Sequence, residues 1–302
     1  MDLRRLNYFT AVAEELHFGR AARRLHISQP PLSQQIQALE RELGVALFER
    51  AGHRISLTEA GQELLPRARA LAAQAEAART AVQRIGRGEA GELEIGFTGS
   101  VPFTPLMPRL LHAFRAAYPQ VRLQLLELTT HAQIERLVEG TLDIGLFRPT
   151  EHALLAQLET RVLLREPLLV ALPAGNPLAR RKRLPLAALA QEDFITYARS
   201  SSTGLHDQLR TLCLKAGFSP RIVQEAREMP TVIGLVAAGV GVALVAASMR
   251  HIQLPGIVFV PLLEREVDSD ILLAWPRGAV AAVLRNFVEL ALRPDEARPQ
   301  PT

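Results

Sequence analysis

Two adjacent prolines, Pro30 and Pro31, stand directly ahead of apolar residues that recur at helical spacing. Proline lacks a backbone N–H and breaks a helix interior, but the first-turn N–H groups of a helix have no intrahelical partner, so proline costs little there. The stretch HISQPPLSQQIQALERELG, residues 26–44, therefore reads as a helix with a fixed start. Ser28 is the expected N-cap, the prolines fall in the first turn and Gly44 is the stop. Leu32, Ile36, Leu39 and Leu43 make one apolar stripe. The opposite face carries Gln29, Pro30, Ser33, Gln34 and Gln37 and is small, polar and uncharged. Solvated faces usually carry Glu and Lys. Amides and hydroxyls both donate and accept hydrogen bonds, as readout of base edges requires. A plain polar surface is the alternative reading of that face taken alone.

The flanking residues supply a context. Leu6, Phe9, Val12 and Leu16 make a first helical stripe. FGRAARRLHIS follows, with Ala21, Ala22 and Leu25 facing inward and Arg20, Arg23 and Arg24 outward. The small alanines allow a close crossing, and the order is that of a helix-turn-helix. VALFERAGHRISLT then reads as a two-stranded wing with Arg50, His53 and Arg54 near its tip. Residues 1–58 hold eight arginines against six acidic residues, so the segment is only weakly basic. Its arginines cluster at the second helix and the wing, where phosphates would lie.

Residues 58–87 read as one long helix with Thr58 as cap and Glu59 at its positive end. Leu64, Ala68, Leu71, Ala75, Ala78, Val82 and Ile85 recur at alternating steps of four and three, a heptad seam. Some 30 residues would span roughly 45 Å. A homodimer seam is the preferred reading, and packing on the chain's own domain the alternative. Two-fold symmetry would place two recognition helices on successive major grooves.

Beyond the linker RGEAGELEIG the texture changes to alternating strands and helices. Strands are expected at 93–97, 121–128 and 144–147, with helices at 105–118 and 131–139. Further on come the strand PLLVAL, helices at 205–216 and 230–238, the strand DILLAW and a helix at 280–292. This is α/β with a largely parallel sheet, and roughly 200 residues suffice for two lobes. The tail RPDEARPQPT reads as disordered.

Composition excludes several classes. The 302 residues are 48% hydrophobic and 22% charged with a net charge of +4, which permits contact with nucleic acid. One cysteine, Cys213, makes no intrachain disulfide, and its apolar stripe with Leu209 and Leu212 reads as packing rather than redox sensing. With no apolar leader after MDLRRLNYF, a cytoplasmic location is expected. The uncharged run 232–249 is borderline for a membrane span, but Gly239 and Gly241 divide it into helix and strand. The histidines lack metal-ligand spacing, AAGVGVA is not a dinucleotide loop, and no GxSxG elbow occurs, so neither a metal, a cofactor nor an enzyme is expected.

The run LNYFTAVAEELHFGRAARRLHISQPPLSQQIQALERELGVALFER, followed by ISLTEAGQELL, resembles the front of LysR-type transcriptional regulators. GELEIGF, LDIGLFR, LVALPAGNPLA and VAAGVGVALVAASM are similar to landmarks of the same family, so the resemblance covers the whole chain. It implies a winged helix-turn-helix DNA-binding domain at 1–58, a dimerisation helix and hinge at 59–90, and a two-lobed α/β effector domain at 91–302. That domain is like a periplasmic binding protein, with lobe I at about 91–163 and 267–292 and lobe II at about 164–266. By the same resemblance Gln29, Pro30, Ser33 and Gln34 touch bases, while Arg50, His53 and Arg54 follow the backbone and minor groove. The family pattern adds a dimer of dimers on a partly palindromic double-stranded DNA site; the heptad spacing puts Leu64, Leu71, Val82 and Ile85 at the dimer seam, and RNA polymerase is a candidate further partner.

In two-lobed binding folds the ligand lies at strand C-termini and helix N-termini. Hydroxyls fall at such places: Thr98 and Ser100 in GFTGS, Thr129 and Thr130 in ELTT, and Ser201, Ser202 and Thr203 in ARSSSTG. Arg148 ends the third strand, and one arginine among hydroxyls suits a carboxylate. The set resembles the subgroup responding to benzoate- or muconate-like acids, from which SSSTG departs. A sensor of an amino acid or other small metabolite is the alternative; a solute-binding protein or an enzyme on the same fold is a more distant one. For Thr104 and Thr203 a helix cap is the competing role, and for Arg148 a salt bridge with a nearby Glu.

Overall fold

The computed structural model describes residues 2–51, 54–149, 153–198, 204–264 and 267–293. The chain forms two compact units, Met1–Arg84 and Ile85–Thr302. His53, Ser201, Ser202, Thr203 and residues 294–302 of the tail expected to be disordered lie outside the described residues.

In the first unit, α1 (Leu3–Glu15), α2 (Phe18–Arg24) and α3 (Gln29–Leu43) pack around Phe9, Val12, Ala21, Leu32, Ile36 and Leu39, all buried. Local chemistry sets the helix ends. Asp2 accepts the Arg5 N–H at 2.8 Å, and His17 Nδ1 accepts the Gly19 and Arg20 N–H groups at 3.0 and 3.3 Å. Leu16 leaves the expected stripe: it takes the left-handed C-cap position at φ 48° and is 46% exposed. Leu43, the last residue of α3, is exposed as well, because the stripe ends where the helix does.

The wing is the antiparallel hairpin β1 (Phe48–Ala51) and β2 (Arg54–Leu57), with Phe48 opposite Leu57 and Ala51 opposite Arg54. The Phe48 ring meets Phe9 and Phe18 at centroid distances of 5.4 and 6.0 Å, which ties the hairpin to the helices. α4 (Glu59–Gly86) starts at Thr58, whose hydroxyl accepts the Gly61 N–H at 3.0 Å and donates to the Ala46 carbonyl at 2.7 Å. Gly61 lets this helix approach: a Cβ there would stand 2.2 Å from the Leu47 carbonyl oxygen.

In the second unit, lobe I is a five-stranded sheet in the order β4 (Gln120–Glu127), β3 (Ala90–Phe97), β5 (Ile144–Phe147), β12 (Ile271–Pro276), β6 (Leu158–Leu164). α5 (Leu106–Ala117) and α9 (Ala282–Leu292) close one core with the sheet around Phe114 and Phe287. α6 (Thr130–Glu139) packs on a smaller cluster with Phe147. Lobe II joins an antiparallel sheet, β10 (Ala243–Ala246), β7 (Leu168–Pro173), β11 (Ile257–Pro261), to the parallel pair β8 (Asp193–Tyr197) and β9 (Arg221–Ala226). α7 (Gly204–Lys215) and α8 (Met229–Ala237) cover it.

The largely parallel sheet expected from the alternation is therefore corrected. Among the strands of the described residues, β4–β3, β3–β5 and β8–β9 pair parallel and the other pairs antiparallel; β12 runs antiparallel to both neighbours. β12 returns to lobe I from lobe II, and the period of a strand carries no record of its direction. The two crossing segments pair with each other: Ser269 N–H donates to the Glu166 carbonyl at 2.7 Å, and Leu168 N–H to the Val267 carbonyl at 2.9 Å. The uncharged run 232–249 divides as expected into α8 and β10, and among the described residues no helix is long and apolar enough to cross a membrane.

Candidate nucleic-acid interface and interlobe cleft

α3 turns Leu32, Ile36 and Leu39 into the core and leaves Gln29, Pro30, Gln34 and Gln37 exposed, with Ser33 half-buried beside them. Spacings of three and four residues place these side chains on neighbouring turns of one face. Ser28 is the N-cap by backbone geometry, but its side chain makes no capping bond. Arg50 and Arg54 lie in the wing strands beside the hairpin tip; His53 lies outside the described residues.

Two of the arginines expected to face phosphate are committed elsewhere. Arg20 pairs with Glu15 at 3.3 Å, and Arg24 with Glu14 at 2.8 Å and Glu15 at 3.6 Å. Glu14 also takes Arg69 of α4 at 2.8 Å, and these two arginines hold its carboxyl below the usual range. Arg23 is exposed and enters no ion pair among the described residues. Outward orientation was correct, but i, i+3 and i, i+4 counting is blind to acids contributed by a neighbouring helix.

Along α4 the expected seam divides. Ala68 is fully buried and Leu64 packs on the helix-turn-helix core, so the chain's own domain takes the first two positions. Leu71, Val82 and Ile85 are exposed at 38%, 70% and 62%.

Between the lobes lies a cleft of about 1150 Å³. Thr98, Ser100, Phe103, Glu127 and Thr129 line it from lobe I, and Tyr197, Arg227, Glu228 and Thr231 from lobe II. Thr98 is 7% exposed and its buried hydroxyl has no hydrogen-bond partner among the described residues. Ser100 Oγ accepts from Arg148 Nε at 3.1 Å. Thr129 caps α6, accepting the Ala132 N–H at 3.3 Å. Thr130 is fully buried and does not line the cleft. Thr104 does not cap α5: its hydroxyl donates back to the Val101 carbonyl at 2.7 Å.

Arg148 is held by a salt bridge. Its guanidinium is buried and bonds Glu166 Oε1 at 2.6 Å, the Ser269 carbonyl at 2.9 Å and Ser269 Oγ at 2.7 Å, besides Ser100. Glu166 Oε2 in turn accepts the Ser248 N–H at 2.7 Å. The salt-bridge alternative is the one realised. Arg148 knots β5 to both crossing segments; it lines a smaller cavity of about 410 Å³ with Leu205 and Gln208 of α7 rather than the 1150 Å³ cleft.

The cleft's charged residues, Glu127, Arg227 and Glu228, were missed, as was Tyr197. Burial pushes the Tyr197 phenol up, the Arg148 charge opposes this and Glu228 adds to it, so the phenol stays neutral. A signal for these residues was present: Glu127 begins the quoted ELTT, and Glu228 precedes Pro230 at a proline-marked helix start.

Comparison with known proteins fits this arrangement. Residues 3–62 match the family described as bacterial regulatory helix-turn-helix protein, lysR family, and residues 86–294 the LysR substrate binding domain. The chain is 46% identical over 288 residues to an uncharacterised HTH-type transcriptional regulator, YnfL, of Escherichia coli K12, covering 95% of this chain and 96% of the relative. It is similar to the crystal structure of CbnR, a LysR family transcriptional regulator, with a TM-score of 0.85, 32% identity, and coverage of 97% of this chain and 100% of the other. CbnR complexed with its target DNA matches with a TM-score of 0.79 and 31% identity over 96% of this chain and 98% of the other.

Proposed function

The chain belongs to the LysR family of DNA-binding transcriptional regulators, which are not enzymes, and on that premise we propose that it reads a partly palindromic promoter site through α3 and answers to a small carboxylate held between the lobes. In this reading Gln29, Pro30, Ser33, Gln34 and Gln37 face base edges, and Arg50, His53 and Arg54 follow the backbone. The exposed half of the α4 seam, Leu71, Val82 and Ile85, joins two protomers, and two such dimers form a tetramer that contacts RNA polymerase. The effector shifts lobe closure, and lobe closure shifts the arrangement of the tetramer on DNA.

The observation that carries the effector reading is Thr98, which lines the cleft and whose buried hydroxyl has no hydrogen-bond partner among the described residues. Buried polar groups are nearly always hydrogen-bonded, and a bound acid would satisfy this one. Ser100, Thr129 and the N-terminus of α6 supply further donors, and Arg227 lines the same cleft as a cation. An aromatic or muconate-like acid is the simplest effector that would answer these donors. An amino acid or other amine-bearing metabolite is the second reading, favoured by Glu127 and Glu228.

A thermal-shift series on the full chain with benzoate, muconate and the amino acids tests this. A ligand at 100 times its Kd adds about 2.7 kcal/mol, or several degrees. The expected result is a shift with one acid class that is lost in Thr98→Val combined with Arg227→Ala. A flat series, or a shift that this variant retains, contradicts the site.

A further inference from the structure

Simple acids leave two carboxylates in the cleft without a task. Glu127 ends β4 in lobe I and Glu228 caps the start of α8 in lobe II. A Cβ placed on Gly99 would stand 2.6 Å from Glu127 Oε1 and 3.5 Å from Glu228 Oε2. The two oxygens therefore lie within about 6 Å of each other and face one point from opposite lobes. Among the described residues neither side chain has a hydrogen bond or an ion pair, although Arg227 lines the same cleft. Both residues are exposed, and a cation or donor placed between their carboxylates would be attracted by both.

A second observation on the same wall points to a ligand. Thr98, more than nine-tenths buried, lines the cleft, and its hydroxyl has no hydrogen-bond partner among the described residues. Tyr197, equally buried, adds a phenol that stays protonated beside Glu228. The cleft thus combines a paired negative pole with an arginine and hydroxyls, and a carboxylate alone matches only half of it.

We infer that the effector is a zwitterion, an amino acid or similar amine-bearing acid, whose ammonium sits between Glu127 and Glu228 while its carboxylate faces Arg227 and the Thr98 and Ser100 hydroxyls. This rests on the cleft being the sensor site. It also gives the ligand a differential interaction with the closed state, because each lobe contributes one carboxylate to the same ammonium.

Isothermal titration calorimetry on the full chain tests it. The ligands are the standard amino acids, each paired with its deamino acid, and calcium chloride alone. The inference expects one amino acid to bind and its deamino partner to bind about 10- to 100-fold more weakly, the range of a charge-assisted hydrogen bond. Glu127→Gln and Glu228→Gln each lose a similar factor for the amino acid while the unliganded melting temperature holds or rises. Equal binding with and without the amine, unaffected by either variant, overturns the zwitterion and leaves the carboxylate sensor standing. Binding of calcium alone that needs both carboxylates overturns it in favour of a cation site. No binding by any acid overturns both readings together.

Discussion

Arg148 and Glu166 are 3% and 6% exposed and hold one another inside a network with Ser100, Ser248 and Ser269. Removing one member of such a pair strands the other as a buried charge, which costs about 3–5 kcal/mol, whereas apolar replacement of both is often nearly neutral. Arg148→Ala should therefore lower stability by that amount in urea titrations, and Arg148→Met with Glu166→Leu should lose far less. An Arg148→Ala protein of normal stability that has lost only its ligand response would restore Arg148 to the cleft. At Cys213 burial pushes the thiol up from its ordinary value to about 11. The unfolded thiol ionises near pH 9, so between pH 9 and about 11 the unfolded state gains and stability falls. Ellman's reagent at pH 8 should modify Cys213 only as fast as the protein opens; rapid reaction in native buffer would contradict its burial.

At the scale of elements, helix ends were the most legible features. Pro30 and Pro31, Thr58, Gly44 and Gly140 each mark a terminus through their own backbone chemistry, so the information is local. Strand direction was not legible, because β12 owes its antiparallel setting to a path through the other lobe. The α4 seam was half legible. Its heptad spacing is real, but only packing shows that Leu64 and Ala68 serve the helix-turn-helix core. The remaining positions yield a prediction: Val82→Glu with Ile85→Glu should turn a dimer or tetramer into monomers by sedimentation velocity, with helicity retained. An unchanged sedimentation coefficient would move the interface off this helix.

Over the whole molecule, the small positive charge is a poor guide to where DNA binds. Arg20, Arg24 and Arg69 pair with Glu14 and Glu15, and the recognition proposed above rests on the α3 face and the wing. The cleft was readable in part for a related reason. Hydroxyls after strand ends, such as Thr98 and Ser100, announce themselves by position. The convergence of Glu127 and Glu228 does not, because it joins segments a hundred residues apart through the fold of both lobes. The most direct test of the central claim is fluorescence anisotropy at one fixed salt concentration, with DNA from upstream of the protein's own gene and scrambled DNA. Wild type should prefer its own site by at least about 10³-fold. Gln29→Ala with Ser33→Ala should abolish that preference and keep salt-sensitive binding to both DNAs, because phosphate contacts survive. A double variant that still discriminates, or a wild type that never does, would contradict recognition through α3.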